Sequence, residues 1–110
     1  MDLKQLDPNL AVTGQIGPED VPAVAAAGFK SIICNRPDGE GEDQPAFAAV
    51  QAAAEAAGLT IVYQPVVSSQ LTDQDARTFG AHFDSLPKPV LAYCRSGARC
   101  TRLFEGSGKG

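Results

Sequence analysis

The apolar run "PVLAYC" ends at Cys94, and Arg95, Ser96, Gly97, Ala98 and Arg99 follow at once. A cysteine at the mouth of a strand, before glycine and two arginines, is the arrangement that makes a thiol nucleophilic. Gly97 lets the backbone curl, so successive N–H groups point inward as a nest for negative charge. A helix beginning near Arg99 adds its N-terminal dipole. Such a field lowers the pKa of Cys94 and keeps a thiolate at neutral pH. The planar fork of Arg99 can clamp an oxyanion. Ser96, Gly97 and Ala98 would supply the cradle, and Arg95 points to solvent, where it steers substrate. The competing reading is a buried core cysteine before an ordinary turn; the company that Cys94 keeps favours the functional one.

Few other groups invite chemistry. Arg36 follows the strand "KSIIC" and is a second anion contact or a brace for an acidic residue. Asp38, Glu40, Glu42 and Asp43 form an acidic stretch. It reads as a solvated loop, the alternative being a lid that contacts the loop arginines. His82 lies mid-helix beside Phe83 and reads as structural, and Tyr63 and Tyr93 as core-edge residues. No Cys-x-x-Cys pair accompanies the single histidine, so neither a zinc site nor any other metal or cofactor is expected.

The elements that must position Cys94 and Arg36 alternate along the chain. "LAVTG" is a weak first strand. "GPEDVPAVAAAG" predicts a helix, with Pro18 at its first turn, Glu19 and Asp20 on the dipole and Gly28 at its exit. "KSIIC" is a strand, and "NRPDGEGEDQ" a polar loop. "PAFAAVQAAAEAAG" is a helix with Phe47, Val50, Ala54 and Ala57 on one face and Gly58 after it. "LTIVYQ" is a strand. "TDQDARTFGAHFDSL" is a helix capped by Thr72, with Phe79 and Phe83 toward the core. "PVLAYC" is a buried strand, and "ARCTRLF" opens the last helix. This order predicts an α/β fold, a mostly parallel central sheet of four to five strands flanked by helices. Ligands of such sheets bind beyond the carboxyl ends of the strands, which singles out the loops after Cys34 and Cys94. Residues 1–105 form one domain and the Gly-rich 106–110 a disordered tail.

Bulk properties are those of a globular chain: 110 residues, 44% hydrophobic, 20% charged. A net charge of −4 speaks against a nucleic-acid surface, and no apolar run is long enough to span a membrane. Three cysteines without framework spacing, and a start lacking signal-peptide regions, lead to a cytoplasmic, reduced protein as the expectation.

"CRSGAR" resembles the active-site loop of single-domain, rhodanese-like sulfurtransferases. "LAVTGQI" and "FKSIICNRPDGE" resemble the openings of cysteine phosphatases of the dual-specificity type. Together, Asn35–Glu40, Pro65–Val66 and Cys94–Arg99 resemble the phosphatase-like domain of the bacterial β-lactamase hydrolase-like proteins, over about residues 3 to 104. This family is described both as phosphatase-like and as a sulfur transferase. The resemblance implies a dual-specificity-like cysteine phosphatase fold with its C-terminal helices truncated, and Cys94 and Arg99 as the catalytic pair. It also implies a partner in sulfide metabolism, a metallo-β-lactamase-like persulfide oxygenase. Cys34 reads as a buried inert thiol; both it and Cys94 end strands at one sheet edge, so a reversible disulfide, as in some cysteine phosphatases, is the alternative.

Two features set the choice of anion. Cysteine phosphatases resemble one another in C-x(5)-R, whereas this arginine comes one position sooner and Cys100 stands in its place. A phosphatase also needs a carboxylic acid to protonate the leaving oxygen. The dual-specificity pattern puts it just after the Pro-Val strand, where this chain has Ser68 and Ser69. Asp73 or Asp75 could substitute, although both suit the N-terminus of a helix better. Sulfur transfer needs no such acid. The expectation is therefore a sulfurtransferase that moves sulfane sulfur from a small donor to a thiol acceptor through a Cys94 persulfide. A phosphatase acting on a phosphorylated substrate through phosphocysteine is second, and a non-enzymatic anion-binding module third.

Overall fold

The computed structural model describes residues 1–109. The expected alternation is present: β2 (Leu10–Thr13), α1 (Val21–Ala26), β3 (Ser31–Cys34), α2 (Phe47–Ala56), β4 (Thr60–Tyr63), α3 (Asp73–Ser85), β5 (Val90–Tyr93) and α4 (Ala98–Gly106). One strand was not foreseen, the edge strand β1 (Lys4–Asp7), which pairs antiparallel with β2. The sheet runs β1-β2-β5-β3-β4, and all pairings beyond β1 are parallel.

Alternation along the strands sorts the core into two layers. Val90, Ala92 and Cys94 face one way with Leu10, Val12 and Ile33, and α3 and α4 cover them through Ala76, Phe79, Phe83, Cys100, Leu103 and Phe104. Leu91 and Tyr93 face the other way with Ala11, Ile32 and Cys34, beneath Val21 and Val24 of α1 and Val50 and Ala54 of α2. Phe83 and Phe104 meet edge to face at 5.8 Å, which ties α4 to α3.

Local chemistry sets the helix ends. Thr72 caps α3 as expected: its Oγ1 accepts the Asp75 N–H at 3.1 Å, and Asp75 Oδ2 accepts the Thr72 N–H at 3.0 Å. The first helix is shorter than expected, a 3-10 turn at Pro18–Asp20 followed by α1. Asp38 Oδ1 accepts the Phe47 N–H at 2.8 Å, so α2 begins two residues into its apolar segment. It ends before Ala57, which is consequently exposed. Gly106 closes α4, and Lys109 Nζ pairs with Asp84 Oδ2 of α3 at 2.7 Å; residue 110 lies outside the described residues.

The functional consequence lies at the carboxyl edge. β3 and β5 are neighbours, with Cys34 opposite Tyr93. The loop carrying Arg36 and Glu40 therefore leaves the sheet beside the loop that follows Cys94.

Candidate active site

Residues 94–97 form a tight loop between β5 and α4. Gly97 has φ +91° and serves as the N-cap of α4, a left-handed conformation that L side chains avoid. Its N–H donates to Cys94 Sγ at 3.1 Å. The loop also packs on Gly14, where any Cβ would come within 2.9 Å of the Arg95 carbonyl oxygen. The sequence thus dictates a closed curl around the sulfur.

That curl acts as expected on Cys94, whose pKa is lowered to about 5. The largest cause was not foreseen: the Cys100 thiol, on the first turn of α4, donates a hydrogen bond to the Cys94 sulfur. Burial works against the shift, and the N–H groups of Cys100, Ser96 and Gly97 reinforce it. Cys100 pays in turn, its own thiol pushed up by burial and by the neighbouring Cys94. The reactive thiolate is therefore present above the depressed value and lost as pH falls through it. Alkylation of Cys94 should show a midpoint near 5; a midpoint at or above the free-thiol value of about 8.5 would contradict the thiolate. Gly97→Ala should destabilise the fold by about 1–2 kcal/mol through its positive φ. It should also raise the alkylation midpoint, as denaturant unfolding and the same alkylation series would show.

Arg99 is buried, and its fork engages a carboxylate of the chain itself. Nη1 and Nη2 grip the two carboxylate oxygens of Glu40 at 3.0 and 3.1 Å. Nη1 also donates to the Val66 carbonyl at 2.8 Å. Its Nε has no hydrogen-bond partner among the described residues. Arg36 joins the same carboxylate, Nε to Glu40 Oε1 at 3.1 Å, while its Nη1 donates to Gln15 Oε1 at 3.1 Å. Of the two roles weighed for Arg36, the contacts made are those of a brace. Glu40, with Arg99 and Arg36 around it, is held below the usual carboxylate range. The acidic stretch is accordingly no uniformly solvated loop. Glu40 is its lid contact, Asp38 caps α2, and Glu42 and Asp43 are exposed.

A cavity of about 520 Å³ opens above this network, lined by Arg36, Glu40, Gly41, Val67, Ser68, Ser69, Arg95 and Arg99. Cys94, whose loop supplies two of those arginines, is itself 1% exposed. Arg95 is exposed, as read from the sequence. Ser96, Gly97 and Ala98 turn toward a second cavity of about 410 Å³ on the other side of the loop. Asp73 and Asp75 line neither cavity; Asp75 is occupied in the Thr72 capping box. Cys34 belongs to the opposite core layer from Cys94, so a bridge between them would have to cross the sheet. Its thiol donates to the Arg36 carbonyl at 3.4 Å, and burial raises its pKa. The described residues contain no cluster of His, Cys, Asp and Glu able to hold a metal, and no helix long and apolar enough to cross a membrane.

Two site residues carried only a faint signal. Glu40 lies four residues beyond Arg36, a spacing that allows their ion pair, but its contact with Arg99 spans 59 residues. Cys100 reads as one more small apolar residue of a helix. Its place one turn after the loop was the available clue.

Comparison with known proteins agrees with this geometry. The model of the family described as "Beta-lactamase hydrolase-like protein, phosphatase-like domain" matches residues 2–108. A beta-lactamase hydrolase-like protein of Xylella fastidiosa (strain Temecula1) is 36% identical over 104 residues, which cover 94% of this chain and 24% of the relative. The chain thus spans about a quarter of the curated relatives it matches. Among solved structures, a candidate phosphatase from Neisseria meningitidis Z2491 is 42% identical with a TM-score of 0.86, over 91% of this chain and 71% of that one. The core catalytic domain of the PP-IP phosphatase SIW14 from S. cerevisiae has a TM-score of 0.67 at 11% identity, over 86% of this chain and 56% of that one; it shares the fold alone. The fold is that of the cysteine phosphatases, and the chain belongs to the family of phosphatase-like domains found in the beta-lactamase hydrolase-like proteins.

Proposed function

We propose that this domain is a sulfurtransferase in which Cys94 carries sulfane sulfur as a persulfide. The observation that carries the proposal is the state of Glu40. Among the described residues it is the one carboxylate lining the cavity that Arg36 and Arg99 share, and these two arginines hold it ionised. A carboxylate so held is a poor proton donor for a leaving alkoxide. Ser68 and Ser69, which also line the cavity, do not replace it. Sulfur transfer avoids the difficulty. The Cys94 thiolate attacks the outer sulfur of thiosulfate, the S–S bond breaks, and sulfite leaves with the electron pair. Cyanide or a thiolate then attacks the outer sulfur of the persulfide and returns Cys94 as thiolate. Neither step requires a proton.

The family and its structural neighbours favour a second reading, a cysteine-dependent phosphatase working through phosphocysteine on a phosphorylated substrate. Turnover on two substrates separates the readings. Thiocyanate should form from thiosulfate and cyanide, and a phosphotyrosine peptide should be hydrolysed poorly. Efficient hydrolysis without thiocyanate would select the phosphatase. Failure of both would favour an anion-binding module. A metallo-β-lactamase-like persulfide oxygenase remains the proposed consumer or supplier of the transferred sulfur, and the cytoplasm the proposed location.

A further inference from the structure

We infer that Gln44 is a positioning residue that holds Glu40 against Arg99 and Arg36, and through them sets the oxyanion grip of the Cys94 site. The inference rests on the proposed roles of Cys94 and Arg99, whether the group transferred is sulfur or phosphate. Gln44 lines neither cavity described above. Its amide serves the backbone of the loop that carries Glu40. Oε1 accepts the Glu40 N–H at 3.1 Å and the Gly41 N–H at 3.2 Å, and Nε2 donates to the Pro37 carbonyl at 2.9 Å. The Gln44 N–H donates to the Gly41 carbonyl at 3.4 Å and closes the turn.

Glu40 needs such a clasp because it stands between two glycines, Gly39 at φ +82° and Gly41. Glycine leaves the backbone a wide choice of conformation. A Cβ on Gly41 would come within 3.0 Å of Arg36 Nη2, so the loop approaches that arginine closely. Local backbone preference therefore does not fix Glu40, and the Gln44 amide does. The effect passes outward through the carboxylate. Oε2 and Oε1 take Nη1 and Nη2 of Arg99 at 3.0 and 3.1 Å, and Oε1 takes Arg36 Nε at 3.1 Å. With both terminal nitrogens gripped, the guanidinium plane of Arg99 follows the carboxylate. Arg36 and Arg99 both line the larger cavity, so a drift of Glu40 tilts its cations. The ends of the loop are held separately. The Asp38 N–H donates to Tyr63 Oη at 2.9 Å, and Asp38 Oδ1 accepts the Phe47 N–H. Loss of the Gln44 amide therefore frees Glu40 without releasing α2.

The test reads anion binding rather than turnover, so it stands even if sulfur transfer fails. Inorganic sulfate is titrated against alkylation of Cys94 by iodoacetamide, followed by mass spectrometry of the Cys94 peptide. Gln44→Met keeps the length of the side chain without its amide. The sulfate concentration for half protection should rise about tenfold, the scale of coupling within hydrogen-bond networks. Gln44→Glu keeps an acceptor for both N–H groups and loses the bond to Pro37. It should weaken protection less than Gln44→Met, the reverse of what its added negative charge alone would do. In Glu40→Ala, the further change Gln44→Met should have no effect, because Gln44 acts through Glu40. The pH midpoint of Cys94 alkylation should stay unchanged in Gln44→Met, since the donors to its sulfur lie outside this loop. A shifted midpoint would overturn the proposal by making Gln44 a general support of the fold. Unchanged protection in Gln44→Met, equal losses with and without Glu40, or a larger loss in Gln44→Glu would overturn it too. So would sulfate that fails to protect the unaltered chain, which would leave no anion grip for Gln44 to set.

Discussion

Cys94→Ser is expected to abolish sulfur transfer, with residual rates at background, while the fold persists. The serine hydroxyl is close to the thiol in size, and the N–H of Gly97 that donates to Sγ can donate to Oγ. An alcohol, however, is not ionised by donors that bring a thiol down to about 5, so the nucleophile is lost rather than weakened. Thiocyanate production from thiosulfate and cyanide would report the loss, and a denaturant transition would report the surviving fold. Substantial turnover in Cys94→Ser would remove this residue from the mechanism.

Arg99→Lys should lower kcat/KM by about 100-fold or more, the size seen when one preorganised donor to a developing anion is lost. The ammonium keeps the charge but cannot hold both oxygens of Glu40 and the Val66 carbonyl with one planar group. The loop bearing Glu40 would then lose its register over the Cys94 loop. The buried Arg99 Nε, without a partner among the described residues, would vanish as well. Kinetics with thiosulfate as the varied substrate measures the effect. Unchanged kinetics in Arg99→Lys would make the guanidinium a bystander.

Much of this architecture was written into local patterns. Gly28 and Gly58, at φ +98° and +79°, end helices where the sequence placed their exits. Thr72 and Asp75 announced the cap of α3. Phe79 and Phe83 marked its buried face. The strand β1 escaped because "KQLD" is short, polar and largely exposed, with its stability coming from pairing with β2 rather than from an apolar alternation of its own. In the site, the Cys94–Arg99 loop was legible because its chemistry is contiguous. Its long-range partners were not. Glu40 looked like its acidic neighbours until the register of β3 beside β5 laid one loop against the other. The disulfide kept as the alternative reading of Cys34 followed from strand order, but the period-two alternation of side chains puts Cys34 and Cys94 on opposite faces. Cys100 occupies the place of the arginine in the longer phosphatase loop, and helical geometry returns its thiol to the Cys94 sulfur.

Uptake of a sulfane sulfur by Cys94 can be read from mass spectrometry of its peptide after brief incubation of the reduced chain with thiosulfate. One added sulfur atom is expected on that peptide, removed by cyanide and absent from Cys94→Ser. An unmodified Cys94 peptide, from protein whose thiolate alkylates with the low midpoint described above, would contradict it.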